Sequence, residues 1–203
     1  MITSLRATAC ALALMLAGCS NPAPKKKAEE KPPEPVTGRY ALYQMYQAGR
    51  TLGPNVEVLR LNSIHLPDVK SERGKAAAWQ VMFAAPARSK ARGYTYSVIE
   101  AEGNLHKGTF AGLEETWSGP RGPVRTFVLA AVKVDTDDAY NTALKHAAEY
   151  DKKNPGKTIS FLLEGNTRFG NPSWRVIWGE SVGTSNFSVF VDASTGEYLQ
   201  TMR

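Results

Sequence analysis

Three histidines, a short run of aspartates and a cluster of basic residues are the side chains in this 203-residue chain with chemistry beyond packing. His65, His106 and His146 stand far apart, and no two share ligand spacing. His146 and Glu149 are three apart on a predicted helix, but a metal needs more ligands than these two. Asp135, Asp137 and Asp138 are dense enough in oxygen to suggest calcium. They lack the loop glycine and distal glutamate of a calcium loop, so the start of a helix explains them more simply. No Gly-x-Ser-x-Gly, no phosphate-cradling glycine loop and no His-Glu-x-x-His occurs. The expectation is a protein that is not an enzyme, with no catalytic residues, no metal and no cofactor.

Two groups could bind. Arg88, Lys90 and Arg92 crowd the tip of a predicted hairpin in "PARSKARGY", and Arg73 and Lys75 precede the strand leading there. Such a tip could dock on phosphate, a glycan acid or an acidic protein patch; the plainer alternative is a soluble charged loop. Trp79, Trp117, Trp174 and Trp178 are large rings for a small protein. Trp79 and Trp174 read as core anchors. Trp117, beside Ser118-Gly119-Pro120, reads as partly exposed and suits an interface. The candidate interaction surface is therefore Arg88, Lys90, Arg92 and Trp117.

Both cysteines, Cys10 and Cys19, lie near the N-terminus. The rest of the chain offers no disulfide, thiolate zinc site or thiol nucleophile. Arg6 is followed by the small and apolar run "ATACALALMLAG", too short to span a bilayer and suited to a signal peptide. Its end, Leu16-Ala17-Gly18-Cys19, resembles a bacterial lipobox. That resemblance implies cleavage between Gly18 and Cys19 and acylation of Cys19, with the membrane as a partner through the lipid. Two or more acyl chains anchor stably where one does not. Ser20, where enterobacterial sorting reads an Asp as retention, implies an outer-membrane lipoprotein facing the periplasm. Residues 1–18 are thus the predicted signal peptide and 19–36 a tether. Its Pro22, Pro24, Pro32, Pro33 and Pro35 alternate with Lys and Glu, and no apolar period exists to fold around. Lys25, Lys26 and Lys27 could touch anionic headgroups or simply keep the spacer solvated.

The formal charge is +6, of which about four remain beyond the tether. An excess this small sets solubility and does not argue for nucleic acid.

The elements that must position these groups come twice. "VTGRYALYQMYQAGR" from Val36 and "VDTDDAYNTALKHAA" from Val134 align without gaps, with Ala41 on Ala139 and Met45 on Ala143. "AWQVMF" (78–83) matches "SWRVIW" (173–178), with Trp79 on Trp174. "YSVIEAEGNLHK" (96–107) resembles "FSVFVDASTGEYLQ" (187–200), with Ile99-Glu100-Ala101 on Val191-Asp192-Ala193 and Gly103 on Gly196. Helical spacing of Leu42, Met45, Tyr46 and Gly49, and of Ala139, Ala143, Leu144, Ala147 and Tyr150, predicts one helix per copy. Alternation through Trp174, Val176 and Trp178 and through Phe187, Val189 and Val191 predicts strands. Asp192 to Gly196 reads as a turn, and Phe127 to Val134 as a further strand of unassigned sheet. The expected fold class is α+β: two tandem repeats, 37–120 and 121–203, each one helix packed on a small antiparallel sheet of three to four strands.

Ala139 and Ala143, Trp174-Arg175-Val176 and Asp192-Ala193-Ser194-Thr195-Gly196 together resemble a PepSY domain over roughly residues 130–203; the first copy resembles a degenerate one. The resemblance implies a cystatin-like shape, a cell-envelope location and a non-catalytic module that binds a protein or peptide, including modulation of a peptidase. A structural component of an envelope assembly and a small-ligand carrier are the rival expectations.

Overall fold

The computed structural model describes residues 32–103 and 105–203. The predicted signal peptide, Gly18, Cys19 and residues 20–31 of the tether lie outside the described residues.

The chain enters through a two-residue strand, β1 (Val36–Thr37), directly into helix α1 (Gly38–Gly49) and a 3₁₀ turn at Arg50–Leu52. Four strands carry the first sheet half: β2 (Glu57–Ile64), β4 (Ala78–Ala85), β5 (Lys90–Ser97) and β6 (Gly108–Thr116). Short β3 (Lys75–Ala76) pairs with β1, and short β7 (Val124–Arg125) begins the crossing to the second half. Helix α2 (Thr136–Lys153) and strands β8 (Ile159–Asn166), β9 (Ser173–Trp178), β10 (Ser188–Asp192) and β11 (Tyr198–Met202) follow. The order of helix then four-stranded meander therefore occurs twice.

All eight long strands form one antiparallel sheet in the order β11-β10-β9-β8-β2-β4-β5-β6, with β7 added beside β8. This corrects the expected pair of separate small sheets. The two halves join where β2 meets β8, pairing Arg60 with Glu164, Leu61 with Leu163 and Asn62 with Leu162. Each of these is the first strand of its meander, so each would otherwise present a bare edge of unpaired N–H and C=O groups. Pairing them removes both edges at once.

Alternation along the central strands turns one face of the sheet toward the helices. α1 lies against β2, β4, β5 and β6, and α2 against β9, β10 and β11. Leu42 and Met45 on α1, and Ala139, Ala143 and Ala147 on α2, share a single core with Val58, Leu61, Trp79, Val81, Phe83, Leu163, Trp174, Val176 and Trp178. The small residues of α2 let it sit close over the large rings of β9. Trp79 and Trp174 are fully buried, as expected, and each indole N–H donates to a backbone carbonyl in the segment before a helix: Trp79 to Val36 at 3.1 Å, Trp174 to Val134 at 2.9 Å. The opposite sheet face is wetter. There Arg60 and Arg175 flank Glu164, whose carboxyl is pushed up by burial against the pull of the two guanidinium groups.

Two further expectations change. Residues 127–134 do not form a strand. Phe127 makes a single bridge to Val58, Leu129–Ala131 is a 3₁₀ turn, and Lys133 N–H and Val134 N–H both donate to Ala193 O at 2.9 Å. The apolar run reads as a strand because its side chains cover the core end, but its backbone bonds go to both halves in turn. The hairpin alignment also shifts by three residues. Trp79 pairs with Tyr96 as Trp174 pairs with Val191, so Ser97, not Glu100, occupies the place of Asp192. Asp192 Oδ1 accepts from Ser194 and Thr195 N–H at 2.7 and 2.9 Å; Ser97 Oγ accepts from Ile99 N–H at 3.3 Å. The same turn is held by a weaker acceptor.

Candidate functional site

The N-termini of the two helices meet above the tryptophans. Thr37, the residue before α1, makes no side-chain cap. The cap comes from α2: Gly38 N–H donates to Thr136 Oγ1 at 2.8 Å, and Arg39 N–H to Asp135 Oδ1 at 2.9 Å. Asp135 also accepts from Thr136 N–H at 2.7 Å. One carboxylate thus serves both positive helix ends, which would otherwise repel. Asp137 and Asp138 occupy the first turn of α2, so this acidic group is engaged in capping, and among the described residues no three or more His, Cys, Asp or Glu gather as metal ligands. Gly38 is required by contact: a Cβ there would lie 2.8 Å from Thr136 Cγ2 and 2.9 Å from the Trp174 ring.

This junction fixes the walls of a cleft. One wall is the solvent side of α1, with Arg39, Tyr40, Tyr43 and Tyr46; the other is the segment Leu129 to Asp135, with Leu129, Ala130, Val132 and Lys133. Its volume is about 600 Å³. Tyr40 and Tyr43 are 48% and 55% exposed although α1 has already buried Ala41, Leu42, Met45 and Gly49. Tyr40 and Tyr46 on this wall are held by neighbouring rings. Tyr40 meets Tyr96 edge-on at 5.9 Å, and Tyr46 meets Phe83 at 5.9 Å, which meets buried Tyr94 at 5.5 Å. Burial and the Tyr40 hydroxyl push the Tyr96 phenol up to about 12. The cleft therefore offers rigid aromatic faces, apolar floor and two cations, Arg39 and Lys133, against one carboxylate already committed to the caps. Such a lining suits an apolar or aromatic group attached to an acidic one.

The surface expected from sequence is built differently. Arg88 donates to Leu52 O and stands 3.9 Å from Glu114; Lys90 is 3.5 Å from the same carboxylate. Arg92 Nε donates to Gly112 O at 2.7 Å and its guanidinium lies 5.6 Å from the Tyr94 ring centroid. These cations fasten β5 to β6 and to the 3₁₀ turn after α1, so the tip is not a free basic prong. Trp117 is half-buried; its backbone N–H donates to Ser89 O at 2.9 Å, and it lines a separate hollow with Arg60, Arg121 and Glu164 on the wet sheet face. The structure brings Trp117 to the hairpin backbone without joining it to the three cations in one site. His106 lies 3.2 Å from Glu100, and His146 stacks on Tyr198 at 3.7 Å, fastening β11 to α2.

Sequence reasoning missed Tyr40, Tyr43, Leu129 and Lys133. A signal was present: the apolar stripe of α1 is complete without Tyr40 and Tyr43, so two aromatic rings remained with nothing assigned to cover them.

No protein-family model matches the chain, and comparison with curated proteins gives no match. Among solved structures, the crystal structure of a protein described as a "putative lipoprotein" from Clostridium difficile 630 is similar at 10% sequence identity and a TM-score of 0.47, over 85% of this chain and 95% of that one. A likeness that distant assigns neither activity nor partner, and the chain's own α+β sheet and cleft remain the basis for a functional reading.

Proposed function

We propose that this chain is a bacterial envelope lipoprotein, held in the outer membrane through acylated Cys19, whose body is a tandem pair of PepSY-like repeats that binds a protein or peptide partner without catalysing a reaction. The observation that carries the binding role is the tyrosine cleft, where Tyr40 and Tyr43 stay half-exposed on a rigid wall beside Arg39 and Lys133. Aromatic rings held in place bind with little loss of side-chain entropy. Two cations on the rim favour a partner segment that pairs an apolar side chain with a carboxylate.

Two things support the tandem reading. Helix and meander recur in the same order, and the Trp79–Val36 and Trp174–Val134 hydrogen bonds repeat one another. The sheet order is also symmetric about the β2–β8 seam. The lipid and location rest on the lipobox, the leader and Ser20. The tether raises the concentration of the cleft near the membrane.

The test is photo-crosslinking in cells with benzoylphenylalanine at Tyr43, and separately at Trp117 and Ser89, in the wild type and in a Cys19→Ser background. The expected result is a discrete adduct from position 43, lost with Lys133→Glu and depleted when Cys19→Ser removes the body from the membrane fraction. Adducts from 117 or 89 but not 43 would move the surface to the hairpin side. Retention of Cys19→Ser in membranes at the wild-type level would remove the lipid anchor. A single partner in a large stoichiometric complex would identify a structural component; a peptidase would identify modulation.

A further inference from the structure

A second cavity, of about 640 Å³, opens on the other side of the α2 N-terminus. One side is the loop His65 to Lys75, "HLPDVKSERGK", which makes two tight turns. Leu66 bridges to Val69, and Glu72 exchanges both backbone hydrogen bonds with Lys75 at 3.0 and 2.8 Å. Arg73 and Gly74 both have positive φ, 44° and 87°, as a two-residue hairpin turn of that hand requires. Gly74 is pressed onto α2: a Cβ there would lie 2.5 Å from Asp137 Cα, and its carbonyl accepts from Thr136 Oγ1. The loop is therefore fixed in place.

Its charge is one-sided. Lys70, Arg73, Lys75 and Lys157 line the cavity against Glu72 alone. Lys157 Nζ is taken by the Tyr150 hydroxyl at 2.9 Å. Among the described residues, Lys70, Arg73 and Lys75 have no carboxylate within 4.0 Å.

At one side of this cavity runs a hydrogen-bond chain whose direction is determined. Ser160 Oγ donates to Gly179 O at 2.6 Å, so its only proton is committed. It must therefore accept from His65 Nε2–H, 2.9 Å away. That leaves His65 Nδ1 as an acceptor in the neutral ring, and Ser71 Oγ, 2.9 Å away, as its donor. While His65 is neutral, Ser71 cannot donate to anything in the cavity. When His65 takes a proton, Nδ1–H donates to Ser71, and the Ser71 hydroxyl is released to donate outward. One proton gained at the ring becomes one hydrogen bond offered to an anion.

We propose that the His65–Lys75 loop and the start of β8 form an anion site for a phosphate-bearing ligand, in which Lys70, Arg73 and Lys75 hold the charge and the Ser160–His65–Ser71 chain couples binding to uptake of a proton. Three unpaired cations and a hydroxyl match the several acceptor oxygens of a phosphate group. Burial holds His65 below its usual range, with Glu180 pulling the other way, so the free protein keeps the ring neutral near pH 7. An anion opposes that burial effect. Glu180, Glu72, Tyr140, Lys157 and the three cations are the titratable or charged groups around the ring and cavity. His65 is the group whose hydrogen bonds to Ser160 and Ser71 are rearranged when the proton is gained.

The site is independent of the tyrosine cleft, and its test is separate. The full-length chain, labelled at histidine with ¹⁵N, is titrated between about pH 5.5 and about pH 8, bracketing the ordinary histidine range. The probes are sulfate, which stays a dianion throughout, then inorganic phosphate, then phosphatidylcholine vesicles with and without phosphatidylglycerol. Sulfate and phosphate are expected to raise the His65 midpoint, and affinity to grow as pH falls, by up to about tenfold per pH unit. Lys70→Gln, Arg73→Gln and Lys75→Gln each weaken binding. Ser71→Ala keeps the charge, removes the hydroxyl that relays the proton, and flattens the pH dependence. An effect confined to phosphatidylglycerol vesicles and lost in the triple Gln variant assigns a lipid headgroup as the source of phosphate. If no probe moves His65, or if binding keeps the full wild-type pH dependence in Ser71→Ala, the proposal is overturned. Tyr43→Ala should change none of these results, so failure here leaves the cleft untouched.

Discussion

At the scale of residues, what was legible was burial, and what was hidden was partnership. The alternation of Trp174, Val176 and Trp178 against Arg175 places the indoles inward, and all three of those apolar residues are buried. Arg88, Lys90 and Arg92 were visible as charge, but Glu114, which neutralises two of them, comes more than twenty residues later on a strand whose register no local pattern gives. The same blindness applies to Tyr94. Its spacing fits a half-buried strand, yet its ring lies wholly in the core and its hydroxyl has no hydrogen-bond partner. A buried hydroxyl left unpaired costs roughly 1–3 kcal/mol, while the ring itself packs on Phe83. Tyr94→Phe deletes the cost and keeps the packing. It should stabilise the protein by about 1–2 kcal/mol, read as a rise of roughly 2–8 °C in Tm for a body of this size. A fall in Tm would mean that the hydroxyl is bonded in solution, to water or to a shifted neighbour.

At the scale of elements, helix α2 announces its own start and α1 does not. Asp135 followed by two more aspartates is a recognisable N-terminus. Val36-Thr37-Gly38 gives no comparable sign of how α1 begins, because its cap is supplied by residues 96 and 98 positions later in the chain. Phe127 to Val134 departs from the expected strand for a related reason: its side chains have a strand's composition, but its backbone bonds go first to β2 and then to the turn after Asp192. Thr136 is the critical point of this arrangement. Its hydroxyl accepts from Gly38 N–H, donates to Gly74 O and has no exposed surface. Thr136→Val keeps the shape and orphans two buried backbone groups, so it should cost about 2–4 kcal/mol. Asp135→Ala, whose bond to Arg39 N–H is exposed, should cost nearer 1 kcal/mol. Denaturant unfolding of both variants checks the order. Equal losses, or a silent Thr136→Val, would show that the helix junction is not held through this hydroxyl.

At the scale of the whole molecule, the repeated helix-and-meander order was legible and the seam was not. Local alternation says that β2 and β8 are strands; nothing local says that they pair with each other, because the pairing spans about a hundred residues. The seam makes the two halves interdependent. Trp174 of the second half packs on Gly38 of the first, Phe161 N–H of β8 donates to Ser63 Oγ of β2 at 2.9 Å, and the core runs without interruption from α1 to α2. Residues 121–203 expressed alone would therefore expose the inner edge of β8, and with it the flank of the core. The sheet order offers one remedy, since the edge that pairs with β2 faces an approximate copy of itself across the seam. Two copies of the segment could restore the lost ladder by pairing β8 with β8. The expected outcome is that residues 121–203 form no stable monomer: sedimentation shows a dimer whose unfolding midpoint rises with concentration, or an unfolded chain, and adding residues 32–120 in trans restores a one-to-one complex. A monomer that unfolds cooperatively with a concentration-independent midpoint would mean that each meander stands alone, and that the continuous sheet is a docking of two finished domains rather than one folded body.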